Sequence, residues 1–130
     1  MAFTQKERFN LLPQLVAEMS KPMSHPARVK IMMYLLKHGD TRFSEFLTLL
    51  PLSGPTISQH LRVLRRSNLI LVHEETPHTL YDVNMRQLQK HMAVMLEFLT
   101  QLRQSGVGLK DLIPAEDLKY WVSLWVKEIT

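Results

Sequence analysis

The chain has 130 residues, a length that suits one domain, and 45% hydrophobic and 22% charged residues, as in an ordinary globular protein. It contains no cysteine, which excludes a disulfide framework and thiol redox chemistry. No stretch of about 18 uncharged apolar residues occurs, and the N-terminus lacks the apolar core of a signal peptide, so we expect no membrane span and a cytoplasmic protein.

The net charge of +4 is unevenly distributed along the chain. Residues 21–73 contain eight Lys and Arg residues against two acidic residues, whereas residues 74–130 contain six basic and eight acidic residues. A concentration of positive charge in one part of a domain is what phosphate binding requires. Chance clustering on a solvated surface is the alternative.

A predicted helix, Phe3–Met19, opens the chain, with apolar side chains recurring at helical spacing. Pro13 interrupts the pattern, so we expect the helix to begin near Leu12 or to be kinked at Pro13. Lys21–Ser24 then breaks the helix. The pattern by itself is compatible with core packing inside one subunit.

A second helix is predicted to begin at His25-Pro26, with the proline in its first turn, and to stop at Gly39. Arg28 lies near its start and is a candidate contact to phosphate or to a second subunit. The apolar residues that we expect to be buried are Val29, Ile31, Met32, Leu35 and Leu36.

Two further helices follow, joined by a tight turn. The first is predicted within Thr41–Leu50, with Thr41 as a possible N-cap, and only Pro51–Gly54 separates it from the next. Two short helices joined in this way make a helix-turn-helix motif, in which the second helix enters the DNA major groove.

The second helix of this motif lies within Leu52–Asn68 and has two different faces. Its predicted start has Ser53 as N-cap and Pro55 in the first turn, and free N–H groups there would attract a phosphate. At about 100° per residue, the apolar residues fall on one face and polar residues on the other. The first face has Ile57, Leu61 and Leu64, and the second has Pro55, Gln59, Arg62 and Arg66. An ordinary surface helix is the alternative interpretation.

Three segments resemble the ArsR-type winged-helix repressors of bacteria: SHPARVKIMMYLL (Ser24–Leu36), RFSEFLTLLPLSGPTISQHLRVLRRSNLI (Arg42–Ile70) and LVHEETPHTLYDVN (Leu71–Asn84). The resemblance implies a mostly α winged helix-turn-helix with a small β-hairpin, extended by N- and C-terminal helices that form a dimer core. It also implies a homodimeric repressor that binds an inverted repeat in double-stranded DNA.

The wing is predicted as a hairpin of Leu69–Glu74 and Thr79–Val83, with its turn at Thr76-Pro77-His78. Many members of the family carry basic residues here, but this tip has two glutamates. Carboxylates repel phosphates, so we expect a weak contribution from the wing, with only His78 able to approach the DNA backbone.

The last part of the chain is predicted to be helical. By resemblance, Met85–Arg103 pairs with its twin in a symmetric dimer. A flexible break at 105–108 precedes a helix from Pro114 that contains Trp121 and Trp125. We interpret the chain as one winged-helix domain, 1–130, with a dimerisation helix at 1–20, the motif and wing at 24–84, a second dimerisation helix at 85–104 and an extra helix at 109–130.

The resemblance and the two-faced helix together assign candidate site residues. We expect base or groove contacts chiefly from Thr56, Ser58, Gln59 and Arg62. The full set of predicted DNA contacts is Arg28, Pro55, Thr56, Ser58, Gln59, His60, Arg62, Arg65, Arg66 and His78. The predicted dimer contacts are Leu12, Leu15, Val16, Leu88, Met92, Met95, Leu96 and Leu99.

No metal, cofactor or catalytic site is expected. The thiolate metal site of many relatives is missing because the chain has no cysteine. On the long dimer helix, His91 has no usual zinc ligand at helical spacing. No nucleophile–base motif or Gly-rich phosphate loop appears. The rival interpretation is a winged-helix protein-interaction module whose working surface is the helix with Trp121 and Trp125.

Overall fold

A computed structural model describes residues 10–106 together with 116, 117, 119, 120, 123, 124 and 127. The elements are α1 (Leu11–Ser20), a 3-10 turn (Lys21–Met23), α2 (Pro26–His38), β1 (Thr41–Arg42), α3 (Phe43–Leu49), α4 (Gly54–Arg66), β2 (Ile70–Glu75), β3 (His78–Val83) and α5 (Met85–Gln104). The three strands form one antiparallel sheet in the order β1-β3-β2. The predicted mostly helical fold with a small sheet is confirmed.

Helix α1 begins at Leu11 and has Pro13 in its first turn. The missing N–H of proline costs little there, because the N–H groups of the first turn make no intrahelical hydrogen bond. This confirms the expected start near Leu12, while residues 1–9 of the predicted helix lie outside the described part of the chain. The 3-10 turn confirms the predicted break after α1.

Helix α2 has the predicted start and stop. Its first turn is capped by His25, whose Nδ1 accepts a hydrogen bond from the Ala27 N–H at 3.1 Å. Gly39 follows the last turn at a φ of +72°, a conformation that side chains rarely adopt. The prediction that Leu36 is buried is wrong: it is 51% exposed, because the buried stripe follows Ala27, Ile31 and Leu35 and faces away from it.

The start of α3 differs from the prediction. Thr41 does not cap the helix; it belongs to β1, and its hydroxyl donates to the Gly39 carbonyl at 2.9 Å. The N-terminal turn is instead closed by the Arg42 N–H, which donates to the Glu45 carboxylate at 2.8 Å. The two-residue strand β1 therefore precedes the helix and was not predicted.

The sheet ties the helix-turn-helix to the wing. β2 and β3 form a hairpin with six residues in each strand, paired from Ile70↔Val83 at the base to Glu75↔His78 at the tip. β1 joins the other edge of β3 through the pair Thr41↔Tyr81. The first helix of the motif thus begins directly from the sheet that contains the wing.

One apolar core holds α2, α3, α4 and the base of the hairpin together. The chain leaves α4 through Asn68 in a left-handed conformation, at a φ of +59°, which asparagine tolerates better than most residues. The buried core residues are Ala27, Ile31, Met32, Leu35, Phe46, Leu50, Ile57, Leu61, Leu64, Leu69, Ile70 and Val83. Because three of them come from α4, the core fixes the orientation of that helix.

Helix α5 has the predicted range to within one residue, and its first turn is capped by Asn84, whose Oδ1 accepts from the Gln87 N–H at 3.3 Å. The chain divides into two compact units, with the boundary within α5 between Met95 and Leu96. The described residues beyond 115 are helical, and Trp121 and Trp125 lie outside the described part. None of the helices in the described residues is long and apolar enough to cross a membrane.

Candidate nucleic-acid interface

The two faces predicted for α4 are present in the structure. Ile57 and Leu64 are fully buried and Leu61 is nearly so, which confirms the inner stripe. On the opposite side, the four predicted residues are exposed to solvent: Pro55, Gln59, Arg62 and Arg66. Arg65 lies at the edge of this face and is exposed as well. A helix anchored by one apolar stripe therefore presents an amide and three guanidinium groups to solvent.

The N-terminal turn of α4 has fewer free backbone N–H groups for a phosphate than the sequence predicts. The Ser53 hydroxyl accepts from the Thr56 N–H at 3.4 Å and lies 2.9 Å from the Thr56 hydroxyl. Pro55 has no N–H. The side chains of the outer face, rather than the backbone amides of the first turn, are thus the principal donors of this surface.

A shallow recess of about 210 Å³ lies between α4 and the wing. Its walls are Ser58, Leu61, Arg62, Arg65, Val72 and Tyr81. Burial raises the pKa of Tyr81 while Arg65 acts in the opposite direction, and the phenol is consequently a neutral hydrogen-bond donor near neutral pH. The recess therefore combines two guanidinium groups with two hydroxyls, a donor set that suits a phosphate.

Tyr81 was absent from the predicted site. The sequence placed it in the wing, but strand alternation by itself does not say which face of a hairpin meets the neighbouring helix. The missing information was the third strand, β1, which pairs with β3 opposite Tyr81. The helix that follows β1 contributes Phe46, whose ring contacts Tyr81, and this contact places Tyr81 on the helix side of the sheet.

His60 is not on the outer face of α4, so its predicted DNA contact finds no support in the geometry. Its side chain is 9% exposed and lies against His25, with ring centroids 4.3 Å apart. The sequence contains a signal for this placement, because His60 lies three residues after Ile57 and four before Leu64, on the same helical face.

Arg28 likewise points into the protein. Its Nε donates to the Pro22 carbonyl at 2.6 Å, and its Nη1 lies 3.1 Å from Nδ1 of His60. Its Nη2 donates to the Lys21 carbonyl and the Ser24 hydroxyl, both at 3.3 Å. Since three of its nitrogens already have acceptors within the chain, the geometry does not support the predicted contact of Arg28 with phosphate.

The tip of the wing is exposed and acidic. Glu75 pairs with His78 across the hairpin, and Glu74 is exposed one residue earlier. His78 is exposed at the first position of β3, where a DNA backbone could reach it.

The predicted dimer residues differ in how far they are exposed. Met92, Leu96 and Leu99 on α5 are 62%, 66% and 53% exposed, which is unusual for large apolar side chains. Met95 is 37% exposed. Leu88, in contrast, packs against the core of its own protomer. On α1, the half-buried residues are Leu12, Leu15 and Val16.

His91 is 8% exposed and lies 3.4 Å from the Gln87 amide nitrogen. Burial lowers its pKa, so it is neutral near neutral pH. Within residues 10–106 and the described helical positions that follow, no three His, Asp or Glu side chains are grouped as metal ligands would be.

Comparison with known proteins gives consistent matches. The family model of the bacterial regulatory protein, arsR family, matches residues 25–71. The transcriptional repressor SdpR of Bacillus subtilis (strain 168) is 33% identical over 81 residues, which are 62% of this chain and 89% of that protein. The uncharacterized HTH-type transcriptional regulator Rv0081 of Mycobacterium tuberculosis is 30% identical over 103 residues, 78% of this chain and 90% of that protein.

Solved structures agree with the fold. The crystal structure of M. tuberculosis Rv0081 covers 77% of this chain and 100% of its own, with a TM-score of 0.56 and 27% identity. An ArsR-like transcriptional regulator from Rhodococcus sp. RHA1 has a TM-score of 0.60 at 20% identity, covering 78% of this chain and 94% of its own. This chain therefore belongs to the ArsR family and is a DNA-binding transcriptional regulator with a winged helix-turn-helix fold.

Proposed function

We propose that the chain acts in the cytoplasm as a homodimeric repressor that inserts one α4 from each protomer into successive major grooves of an inverted repeat. The observation that carries this proposal is the outer face of α4, where Gln59 and Arg62 are exposed while the inner stripe is locked in the core. Because the core holds this helix rigidly, its exposed side chains can contact base edges without a large rearrangement of the protein.

Within this proposal the outer residues have different roles. Gln59 can pair through two hydrogen bonds with N6 and N7 of adenine, and Arg62 with O6 and N7 of guanine. Arg65 and Arg66 bind phosphates, which position the protein without reading sequence. Thr56 and Ser58 contact the groove, and Pro55 offers an apolar surface at its edge. The recess beside Tyr81 receives a backbone phosphate.

A second copy of the chain accounts for the exposed apolar residues of α5. Met92, Leu96 and Leu99 would leave a row of large apolar side chains in water in an isolated protomer. In a symmetric dimer the second copy would cover this row, and the two α4 helices would enter successive major grooves about 34 Å apart, one turn of DNA. Leu88 is partly buried against the core of its own protomer, so we expect it to contribute less to this interface than the exposed row.

The proposal includes no catalytic step and no metal. Control through cysteine thiolates forms no part of it, because the sequence has no cysteine.

Selection of bound duplexes from a random library, followed by titration across salt concentrations, tests the proposal. If Arg65 and Arg66 of each protomer neutralise phosphates, affinity for a selected duplex should fall about a hundredfold between about 50 and 200 mM salt. The selected sequences should be inverted repeats with half-sites about one helical turn apart. Affinity independent of salt, or selection of unrelated single sites, would contradict the proposal.

A further inference from the structure

Three side chains join the start of α2 to the inner side of α4. Nη1 of Arg28 lies 3.1 Å from Nδ1 of His60, and the His25 and His60 rings lie 4.3 Å apart at an interplanar angle of 39°. Arg28 is itself held by the Pro22 carbonyl, to which its Nε donates at 2.6 Å. These contacts connect the segment before α2, α2 itself and the helix proposed to read DNA.

Both histidines use Nδ1 as an acceptor. A guanidinium has donors only, so the Arg28 contact requires an unprotonated Nδ1 on His60. The Ala27 N–H donates to Nδ1 of His25 in the same way. His60 therefore carries its ring proton on Nε2 in this arrangement. A second proton on Nδ1 of His60 would replace an accepted hydrogen bond with a donor facing a donor.

We propose that His25, Arg28 and His60 are positioning residues that form a proton-sensitive latch holding α4 in its DNA-binding orientation. The inference rests on the proposed function of α4. His60 lies on the inner side of that helix, one residue after Gln59 on the outer side, and any shift that relieves His60 also moves the outer side chains. Protonation thus reduces sequence-specific binding without contact between the latch and DNA.

The charges around His60 all act in one direction. The titratable and charged groups that face it are His25, which precedes α2, and Arg28 within α2. Burial is the largest cause that lowers the pKa of His60, and these two neighbours lower it further. A folded-state pKa below the unfolded value means that the unfolded chain binds more protons. The latch therefore contributes its full stability above about pH 6.5 and loses it as the pH falls through the folded-state pKa.

Added positive charge on the wing would act in the opposite direction, because it strengthens binding to selected and random DNA alike. The exposed histidines of the wing are His73 and His78. Weaker binding to the selected duplex at low pH would therefore indicate the latch, because added positive charge on the surface has the opposite effect.

The first measurement uses the full chain without DNA, so it does not depend on the proposed function. NMR titration from about pH 7.5 to about pH 5 should give His60 a midpoint below about 6.5, with backbone amides of α4 shifting at the same midpoint. His60→Gln keeps an acceptor for Arg28 but cannot titrate, and it should abolish the shift of the α4 amides. Amides of α4 that do not respond to His60, or respond equally in His60→Gln, would overturn the latch.

The second measurement compares DNA binding at about pH 7.5 and about pH 5.5. The ratio of affinities for a library-selected duplex and a random duplex should fall about threefold or more in the wild type. It should stay constant in His60→Gln, while His60→Ala should show a low ratio at both pH values. His73→Gln, at an exposed histidine outside the proposed contacts, is the control and should retain the wild-type fall in the ratio. A chain that binds neither duplex would contradict the proposed function. The NMR measurement, which uses no DNA, would still show whether the latch exists.

Discussion

Phe46 and Tyr81 meet edge to face, with ring centroids 5.8 Å apart and an interplanar angle of 72°. Phe46 is fully buried in the core on α3, whereas Tyr81 also lines the recess beside Arg62 and Arg65. This pair is a direct connection between the hydrophobic core and the surface proposed to bind DNA. The position of the wing relative to α4 therefore depends on core packing as well as on the strand pairs.

Phe46→Ala should lower the free energy of unfolding by about 3–5 kcal/mol, because it removes a buried ring and leaves a cavity under the sheet. Leu47→Ala on the same helix is the matched control; Leu47 is 46% exposed, and its loss should cost about 1 kcal/mol or less. Urea denaturation followed by circular dichroism measures both. Equal losses for the two variants would show that Phe46 is not a central core residue.

Gly39→Ala should destabilise the chain by about 1–3 kcal/mol because the glycine has a φ of +72° and a ψ of −144°, a region that side chains avoid. Gly54→Ala provides the comparison. Gly54 begins α4 with helical backbone, and an added Cβ would lie 3.7 Å from the nearest atom, an ordinary contact. That variant should change stability by less than about 1 kcal/mol. Thermal unfolding of both variants at one pH checks this, and a larger loss for Gly54→Ala would contradict the backbone assignment.

The acidic wing tip should weaken DNA binding. Neutralising it with Glu74→Gln and Glu75→Gln together should raise affinity for random and selected duplexes alike by about twofold to fivefold at about 50 mM salt, since both carboxylates are exposed and repel phosphates. The gain should shrink at about 200 mM salt. Glu97→Gln changes the net charge on α5 and serves as the control. Unchanged or reduced affinity in the double variant would mean that the wing tip does not approach DNA.

The sequence predicted α4 well because its periodicity, cap and proline agree with one another. Ser53, Pro55 and the stripe of Ile57, Leu61 and Leu64 all have the predicted roles. Each of these signals depends on residues that lie within about two turns of the same helix. The inward position of His60 was also present in the spacing, but its polar side chain favoured a surface interpretation.

Features that depend on distant pairing were not predictable in the same way. The strand β1 has only two residues, too few for an alternating pattern, and exists because Thr41 pairs with Tyr81 forty residues later. The internal contacts of Arg28 likewise require the Pro22 carbonyl and His60, which a linear sequence does not bring together. Long-range contacts of this kind occupy the guanidinium of Arg28 with acceptors of its own chain.

Replacement of Gln59 and Arg66 separates sequence reading from phosphate binding on the outer face of α4, and this tests the central claim most directly. Gln59→Ala should lower discrimination between selected and random duplexes by roughly 1–3 kcal/mol per half-site. Arg66→Ala should weaken binding to both duplexes about equally, because a phosphate contact carries no sequence information. Both side chains are exposed, so neither variant should unfold the chain.

The measurement is titration of each variant with both duplexes at one fixed salt concentration, with circular dichroism as the control for folding. The selected-to-random affinity ratio should be lower for Gln59→Ala and unchanged for Arg66→Ala. A folded Gln59→Ala variant with the wild-type ratio would contradict the account, because the outer face of α4 would then not be the surface that reads DNA.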